Sequence, residues 1–429
     1  MTEVTKNKKE KKKLGATGKI FIGLIFGIIF GIVLNYLVPE SSFKNDILIN
    51  GILYVIGNGF LRLMKMLVVP LVFTSLICGA AAIGDTKTLG KVGIKTIIFY
   101  LCTTALAVTV AILIANVINP GTGLNMDEIQ VGNVSTSTSS TSLAETLLDI
   151  IPDNPFNSLA NGTMLQIIVF ALLIGILIAK MGERAELIFN FASQCNDLMM
   201  EMTMLVMKAA PIGVFCLIAK TFSGLGIEAI LPLVKYVVSV VAALGVQCFG
   251  VYMLLLFAFT RLNPFRFFKK FLPVFGFAFS TATSNATIPL SIETLEEKMG
   301  VSRRISSFTI PLGATINMDG TSIMQGVAVV FAAQAYGVHL GLGGYLTVIA
   351  TATLASIGTA GVPSVGLITL SMVFESVGLP IEAIALIMGI DRILDMIRTA
   401  VNVTGDAVCT TVVAFQNKAI DIETFNEKE

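Results

Sequence analysis

The sequence predicts an all-α polytopic membrane protein with eight transmembrane helices and two re-entrant helical hairpins. Of its 429 residues, 55% are hydrophobic and only 13% are charged, and its mean hydropathy is +0.84, far above that of a water-soluble domain. Apolar runs of about 20 residues, the length that crosses roughly 30 Å of hydrocarbon, recur along the chain. Lysine and arginine are concentrated in alternate loops between these runs, as membrane topology requires.

The continuous apolar runs give the eight predicted crossings. They are 18–38, 47–81, 93–118, 163–182, 195–220, 228–260, 304–335 and 382–415. Two more apolar segments, 265–298 and 341–378, are interrupted by Gly, Pro, Ser and Thr, so neither is expected to form one continuous helix.

The placement of Lys and Arg predicts how the chain is oriented in the membrane. Cytoplasmic loops carry the excess of Lys and Arg, which places the basic N-terminal segment inside; we interpret that segment as a topology signal and solvated tail. The stretch from Pro120 to Thr163 contains no Lys or Arg and is predicted outside. Both termini are therefore expected to be cytoplasmic in a multi-pass protein of the cell membrane. Segment 265–298 must then enter and leave from the inside, and 341–378 from the outside.

The last crossing carries polar residues on one face. At 100° per residue these positions fall within a sector of about 80°. They are Asp391, Asp395, Arg398, Asn402 and Asp406. Ionised groups at mid-bilayer cost at least roughly 2.5 to 3.5 kcal/mol each on insertion scales. The face must therefore contact protein, a cavity or a ligand rather than lipid.

An ion-pair network that only joins helices is one explanation of this face. The balance of charges favours a cation-binding site instead, because three carboxylates here and Asp319 in the preceding crossing face one obvious cation, Arg398. Surplus buried carboxylates need cations, and hard cations such as Na+ prefer oxygen ligands. Asn317 and Asp319, beside Gly320, are accordingly predicted ion ligands. The small and hydroxyl residues at the hairpin tips, 280–289 and 355–366, indicate half-helices that end at a midplane substrate site.

At these residues the sequence resembles the glutamate transporter family of dicarboxylate and amino-acid:cation symporters, and its prokaryotic sodium/aspartate members in particular. The likeness spans about 18 to 415. Its motifs are "LRLMKMLVVPLVF", "NMDGT", "SIGTAGVP" and "DMIRTAVNVTGD". The resemblance implies a homotrimeric secondary active transporter, not an enzyme, that imports L-aspartate and/or L-glutamate with Na+ by an elevator mechanism.

The resemblance also implies a division of the chain. Segments 18–92 and 163–227 would mainly form a rigid scaffold and trimerisation domain, and 93–120 and 228–415 a mobile transport domain. Segment 121–162 would be a flexible extracellular loop, and 1–17 and 416–429 cytoplasmic tails.

Site roles follow from the same resemblance. Arg398 would clamp the substrate's side-chain carboxylate, and Asp395 would receive its α-ammonium. The full substrate set is Arg398, Asp395, Thr399, Asn402, Thr321, Ser284, Val362 and Gly366. Three Na+ ions per protomer are implied. Their ligands would be Asp406, Gly313, Asn317 and Asn402 for the first, Tyr100, Thr103, Thr104, Asn317 and Asp319 for the second, and Thr315, Ser356, Ile357 and Thr359 for the third.

The sequence departs from the family at a second site arginine, which is replaced by Ala282 and Met396. Arg392 is a candidate substitute. Gln325 stands where proton-coupled animal members carry glutamate, which favours sodium coupling, although some bacterial relatives use protons.

Several alternatives remain open. Cystine also carries an ammonium and a distant carboxylate, whereas a C4-dicarboxylate would not need Asp395. An ion channel fits poorly, because it needs a continuous lined pore. An intramembrane aspartyl protease needs two carboxylates sharing a proton, but an arginine and amides crowd this face.

Overall fold

The computed structural model describes residues 16–84, 91–124, 151–357 and 365–427. Across these ranges the regular structure is helical, and the only β pairing is an isolated antiparallel bridge between Val301 and Ile420. The predicted all-α class is confirmed.

The helices follow the apolar runs. In the first half they are α1 (Ala16–Tyr36), α2 (Tyr54–Gly84), α3 (Lys91–Ile118), α4 (Pro155–Asn161), α5 (Met164–Met181), α6 (Glu186–Met207) and α7 (Ala210–Leu225). In the second half they are α8 (Ile230–Gly245), α9 (Met253–Thr260), α10 (Pro264–Thr281), α11 (Ser284–Glu293), α12 (Arg303–Ile316), α13 (Asp319–Ala335), α14 (Leu342–Ser356), α15 (Val365–Ser376), α16 (Ile384–Gln416) and α17 (Ile422–Asn426). π-Helical segments precede α2 (Phe43–Leu53), join α8 to α9 (Val246–Tyr252) and follow α11 (Thr294–Lys298).

Three of these helical stretches are each long and apolar enough to cross a membrane, within the ranges that the structure describes. They are Val92–Ile118, Gln166–Val206 and Ile230–Thr260. Shorter apolar helices include Ile22–Tyr36, Ala210–Gly224, Leu342–Ser356 and Gly366–Ser376. The chain is a helical membrane protein, and the full count of eight crossings stays a prediction.

Both segments expected to be interrupted are pairs of helices. In the first, α10 ends at Thr281, the following Ala282 has a left-handed φ of 50°, and α11 begins at Ser284. In the second, α14 and α15 flank a tip whose residues 358–364 lie outside the described ranges. Helices α10 and α11 pack against each other, as do α14 and α15. Entry and exit from one side of the membrane remain expectations.

Three predicted segments differ in detail. The run 304–335 is divided into α12 and α13, because Asn317 adopts extended backbone angles (φ −85°, ψ 98°). The run 195–220 is divided before α7, where Pro211 occupies the first turn and lacks the N–H that would continue the preceding helix. The predicted flexible loop contains α4, whose Asn154 side chain accepts hydrogen bonds from two backbone N–H groups and caps the helix.

The helices pack as two groups that meet along a narrower seam. In one group, α1 packs on α7, and α2 packs on α5, α6 and α7. In the other, α3 and α8 to α14 surround α16 and α13. Contacts between the groups are made mainly by α15 with α2 and by α16 with α1 and α7.

The predicted C-terminal tail is folded against the base of the first hairpin. Lys270 of α10 is buried, and its ammonium donates hydrogen bonds to the backbone carbonyls of Lys298 (2.7 Å) and Thr424 (2.9 Å). The Val301 bridge to Ile420 lies beside this contact. The tail therefore fastens the end of α16 to the hairpin instead of extending freely.

Candidate substrate and cation site

The polar face of α16 is buried, as its periodicity predicts. Arg398 has no exposed surface, and Asp391 and Asp395 are 1% and 7% exposed. Thr399, Asn402 and Asp406 are buried as well. Helices α3 and α8 to α13 pack against α16, and the burial of these side chains shows that the charges contact protein and not lipid.

Arg398 is held between two aspartates of its own helix. Its Nη1 donates to Asp391 Oδ1 at 2.7 Å and its Nη2 to Asp395 Oδ1 at 2.8 Å. The partners lie seven and three residues before it, on the same helical face. Nε, the remaining guanidinium nitrogen, is buried without a hydrogen-bond partner among the described residues. Because a buried donor without a partner is costly, this edge of the guanidinium suits an anionic ligand.

The second hairpin approaches the same guanidinium through Gly366. A methyl group added at Gly366 would lie 2.9 Å from Thr321 Cγ2 and 3.7 Å from Arg398 Nη2. Gly366 and Thr321, both expected to contact substrate, are thus next to Arg398. Val362, in the same tip, lies outside the described residues.

Thr399 and Asn402 bond to the surrounding backbone. The Thr399 hydroxyl donates to the carbonyl of Asp395 at 2.8 Å. Asn402 Oδ1 accepts from the Gly320 N–H at 2.7 Å, one of the N–H groups at the start of α13 that have no partner within the helix. Ser284 begins α11, which packs on α16.

Asp319 lies at the N-terminus of α13 and has no exposed surface. It accepts three hydrogen bonds, from Thr104 Oγ1 (2.6 Å), Gln247 Nε2 (3.0 Å) and Tyr252 Oη (2.7 Å). All three donors are neutral, and no described basic side chain forms an ion pair with it. The hydrogen bonds orient the carboxylate without compensating a full negative charge.

Asn317 links a second carboxylate to the break between α12 and α13. Its Nδ2 donates to Asp406 Oδ1 at 2.8 Å and to the Asn402 carbonyl at 3.1 Å. Its Oδ1 is buried without a hydrogen-bond partner among the described residues. A Cβ at Gly313 would overlap Asp406 Oδ1 and lie 2.5 Å from Tyr100 Oη. Glycine therefore lets both groups reach this break.

The ligands expected for the second cation converge from α3 and α13. Tyr100, Thr103 and Thr104 are buried on α3, and Thr104 contacts Asp319 directly. The Thr103 hydroxyl donates to the Tyr100 carbonyl at 3.1 Å. The structure thus brings Thr104 to Asp319, whereas the Tyr100 hydroxyl donates to the Thr309 carbonyl at 3.2 Å and lies beside Gly313.

The residues expected to bind the third cation are not linked by hydrogen bonds between the helices that carry them, as far as the structure describes them. The Thr315 hydroxyl donates to the Leu312 carbonyl and the Ser356 hydroxyl to the Thr353 carbonyl, each within its own helix. Ile357 is buried at the end of α14, and Thr359 lies outside the described residues. Between Thr315 and Ser356, which are both described, there is no hydrogen bond.

Three residues of the candidate site were not assigned a role from the sequence. Gln247 and Tyr252, which donate to Asp319, lie in the π-helical segment between α8 and α9. Asp391 was placed on the polar face but given no role. A lone amide inside the apolar run "ALGVQCFGVY" was an available signal, because polar groups at membrane depth are expensive and usually functional.

The donor atoms define what this site can bind. A planar guanidinium beside an aspartate can hold an anion and an ammonium at once. The two other carboxylates, Asp319 and Asp406, accept hydrogen bonds from hydroxyl and amide groups. Carboxylate oxygens are ligands of hard cations. No described cluster of three or more His, Cys, Asp or Glu side chains is arranged to hold a metal ion.

Comparison with known proteins identifies the family of the chain. Residues 17–415 match the model of the "Sodium:dicarboxylate symporter family". The chain is 38% identical over 411 residues to the "Proton/sodium-glutamate symport protein" of Geobacillus stearothermophilus, with 94% of each chain covered. It is 35% identical over 413 residues to the "Proton/glutamate-aspartate symporter" of Escherichia coli (strain K12), covering 94% of this chain and 93% of that one. The chain therefore belongs to the sodium:dicarboxylate symporter family and is a membrane transporter, not an enzyme.

Proposed function

We propose that the protein imports L-aspartate and/or L-glutamate across the cell membrane, coupled to Na+. The unpartnered Nε of the buried Arg398, beside Asp391 and Asp395, carries this proposal. A guanidinium edge inside the protein selects a carboxylate, and an adjacent carboxylate selects an ammonium. Relatives named for glutamate or aspartate symport support the same substrate class.

Substrate would enter by exchanging partners with the ion pair. Asp395 bonds Arg398 in the structure, so an incoming ammonium would take over this carboxylate while the substrate's side-chain carboxylate takes over the guanidinium. The charges remain paired throughout, which avoids leaving a buried ion uncompensated. Thr321 and Gly366 would close over the bound amino acid.

Sodium coupling is supported by the two carboxylates that lack basic partners. Asp319 and Asp406 are buried, and their described hydrogen-bond donors are neutral. A cation at each would restore neutrality and lower the energy of the loaded state. A proton on either carboxylate would do the same, and relatives named for both cations keep proton coupling as the alternative. Three Na+ per protomer follow from the resemblance.

We further propose that the two packing groups move against each other. The group around α16 would be the transport domain, and α1, α2 and α5 to α7 the scaffold of a homotrimer. The narrow seam between them, made largely by α15 and α16, supports an elevator motion of the loaded domain. Ion binding that favours a closed second hairpin would make half-loaded units poor at crossing.

Uptake into liposomes tests the substrate. Purified protein is reconstituted with Na+ outside, and labelled L-aspartate uptake is competed by L-glutamate, cystine, succinate and serine. Block by L-glutamate, but not by succinate or serine, supports the assignment of Arg398 and Asp395. Best competition by cystine favours the longer substrate instead, and best competition by succinate would show that no ammonium is recognised.

A further inference from the structure

An open groove runs along the membrane-facing side of α3, on the opposite side of that helix from Thr104, which bonds to Asp319. It has a volume of about 290 Å³ and is bounded by α3, α9 and the end of α16. Its walls are almost entirely apolar and include Ile98, Leu106, Phe259 and Val412. Ile98, Leu106 and Phe259 are 56%, 45% and 51% exposed. The helices around it therefore leave an apolar channel that nothing else in the described chain fills.

The length of the groove matches one membrane leaflet. Its α3 wall runs from Lys95 to Leu106, which at 1.5 Å per residue is about 16 Å. Half of a hydrocarbon core of roughly 30 Å is about 15 Å. One acyl chain lying along α3 would thus extend from the membrane interface to the bilayer centre.

One end of the groove is basic. Lys95 is half-buried there, and no hydrogen bond or ion pair joins it to any described residue. Gln416, the last residue of α16, lies at the same end. The Lys and Arg pattern of the sequence places this end at the cytoplasmic surface. A half-buried ammonium at the mouth of an apolar channel complements an anionic headgroup.

The positive charge of Lys95 argues against the N-terminal segment of this chain as the occupant of the groove. The N-terminal segment "KNKKEKKK" is strongly basic and would be repelled by Lys95. Basic pockets between transmembrane helices on the cytoplasmic side are a recognised form of anionic-lipid site.

We propose that this groove binds an anionic phospholipid of the inner leaflet, with one acyl chain along α3 and the phosphate on the Lys95 ammonium. The inference does not depend on which amino acid or cation is transported. The groove also reaches Thr103, whose backbone carbonyl lies 3.4 Å from Gln247 Nε2. The lipid would therefore pack against the helix that supplies part of the candidate cation site.

Native mass spectrometry of the purified protein with added lipid tests the headgroup contact. Wild type is titrated with phosphatidylglycerol and with phosphatidylcholine of identical chains, and the affinities are compared. Lys95→Gln should reduce the preference for phosphatidylglycerol about fivefold, because this is the gain in affinity that one basic residue provides near an anionic lipid. The control, Lys180→Gln, removes an exposed lysine at the end of α5, outside the groove, and should keep the preference.

A second pair of variants tests whether an acyl chain occupies the groove. Cys102 lines the groove and is exposed, so Cys102→Phe should lower binding of both lipids by filling it. Leu113→Phe, at an exposed α3 position beyond the groove, should not. Equal affinities for both lipids in wild type, or an undiminished preference in Lys95→Gln, would overturn the proposal. Loss of oligomers from the spectra of Cys102→Phe, with lipid binding unchanged, would assign the groove to a second copy of the chain.

Discussion

Replacing Arg398 with lysine should weaken L-aspartate binding by about 10- to 100-fold while leaving the fold intact. The guanidinium uses Nη1 for Asp391 at 2.7 Å and Nη2 for Asp395 at 2.8 Å, which leaves Nε for a ligand. A lysine ammonium keeps the charge but has no planar set of nitrogens to serve all three partners. Losing one charge-assisted hydrogen bond costs about 1.5–3 kcal/mol, and each 1.4 kcal/mol is tenfold in affinity.

Isothermal titration of purified protein with L-aspartate in saturating Na+ measures this loss. Arg303→Lys is the matched control, because the Arg303 side chain is 73% exposed and pairs with Glu296 at 3.3 Å on the surface; its affinity should equal that of wild type. Arg398→Ala should also lower the melting temperature, since it leaves two buried carboxylates without their cation. Wild-type affinity in Arg398→Lys would refute the reasoning.

Three further predictions concern the surroundings of the site. Asp319→Asn should weaken Na+ affinity at least about tenfold, because it replaces a charged ligand by a neutral one of the same size; a Na+ titration of aspartate binding measures this, and an unchanged midpoint would contradict it. Gly320→Ala should destabilise the protein by about 1–3 kcal/mol through overpacking, since the new Cβ would lie 2.7 Å from the Arg398 carbonyl; an unchanged melting temperature would argue against this contact. Lys270→Met should speed backbone hydrogen exchange in α17, because it removes the two hydrogen bonds that Lys270 donates at the base of the hairpin. In the control Lys269→Met, which changes an exposed lysine, exchange should match wild type. Equal exchange in both variants would show that Lys270 does not hold the tail.

The polar face of α16 was predictable because it depends on one helix alone. Residues spaced at three, four and seven positions share a face whatever the rest of the fold does, and the cost of lipid exposure requires that face to be buried. Predicting this face needed only periodicity and the energetics of burial. The break at Asn317 was not predicted, because 304–335 was expected to be one continuous crossing.

The contacts of Asp319 were not predictable in the same way. Gln247 and Tyr252 precede it by 72 and 67 residues, and they reach it only because a π-helical segment joins α8 to α9. A π turn changes the register of the side chains that follow, so the 100° rule does not assign their face. The docking of the tail on Lys270 is equally long-range, at 154 residues from Thr424, and segment 416–429 was expected only to be a cytoplasmic tail.

Uptake of labelled L-aspartate under separate cation gradients tests the central claim most directly. Liposomes containing the protein receive either an inward Na+ gradient at equal pH or an inward proton gradient without Na+, with the membrane potential clamped. If Asp319 and Asp406 hold Na+, uptake should concentrate aspartate under the Na+ gradient and should not do so under the proton gradient. Concentrative uptake driven by protons alone, with no response to Na+, would contradict the account.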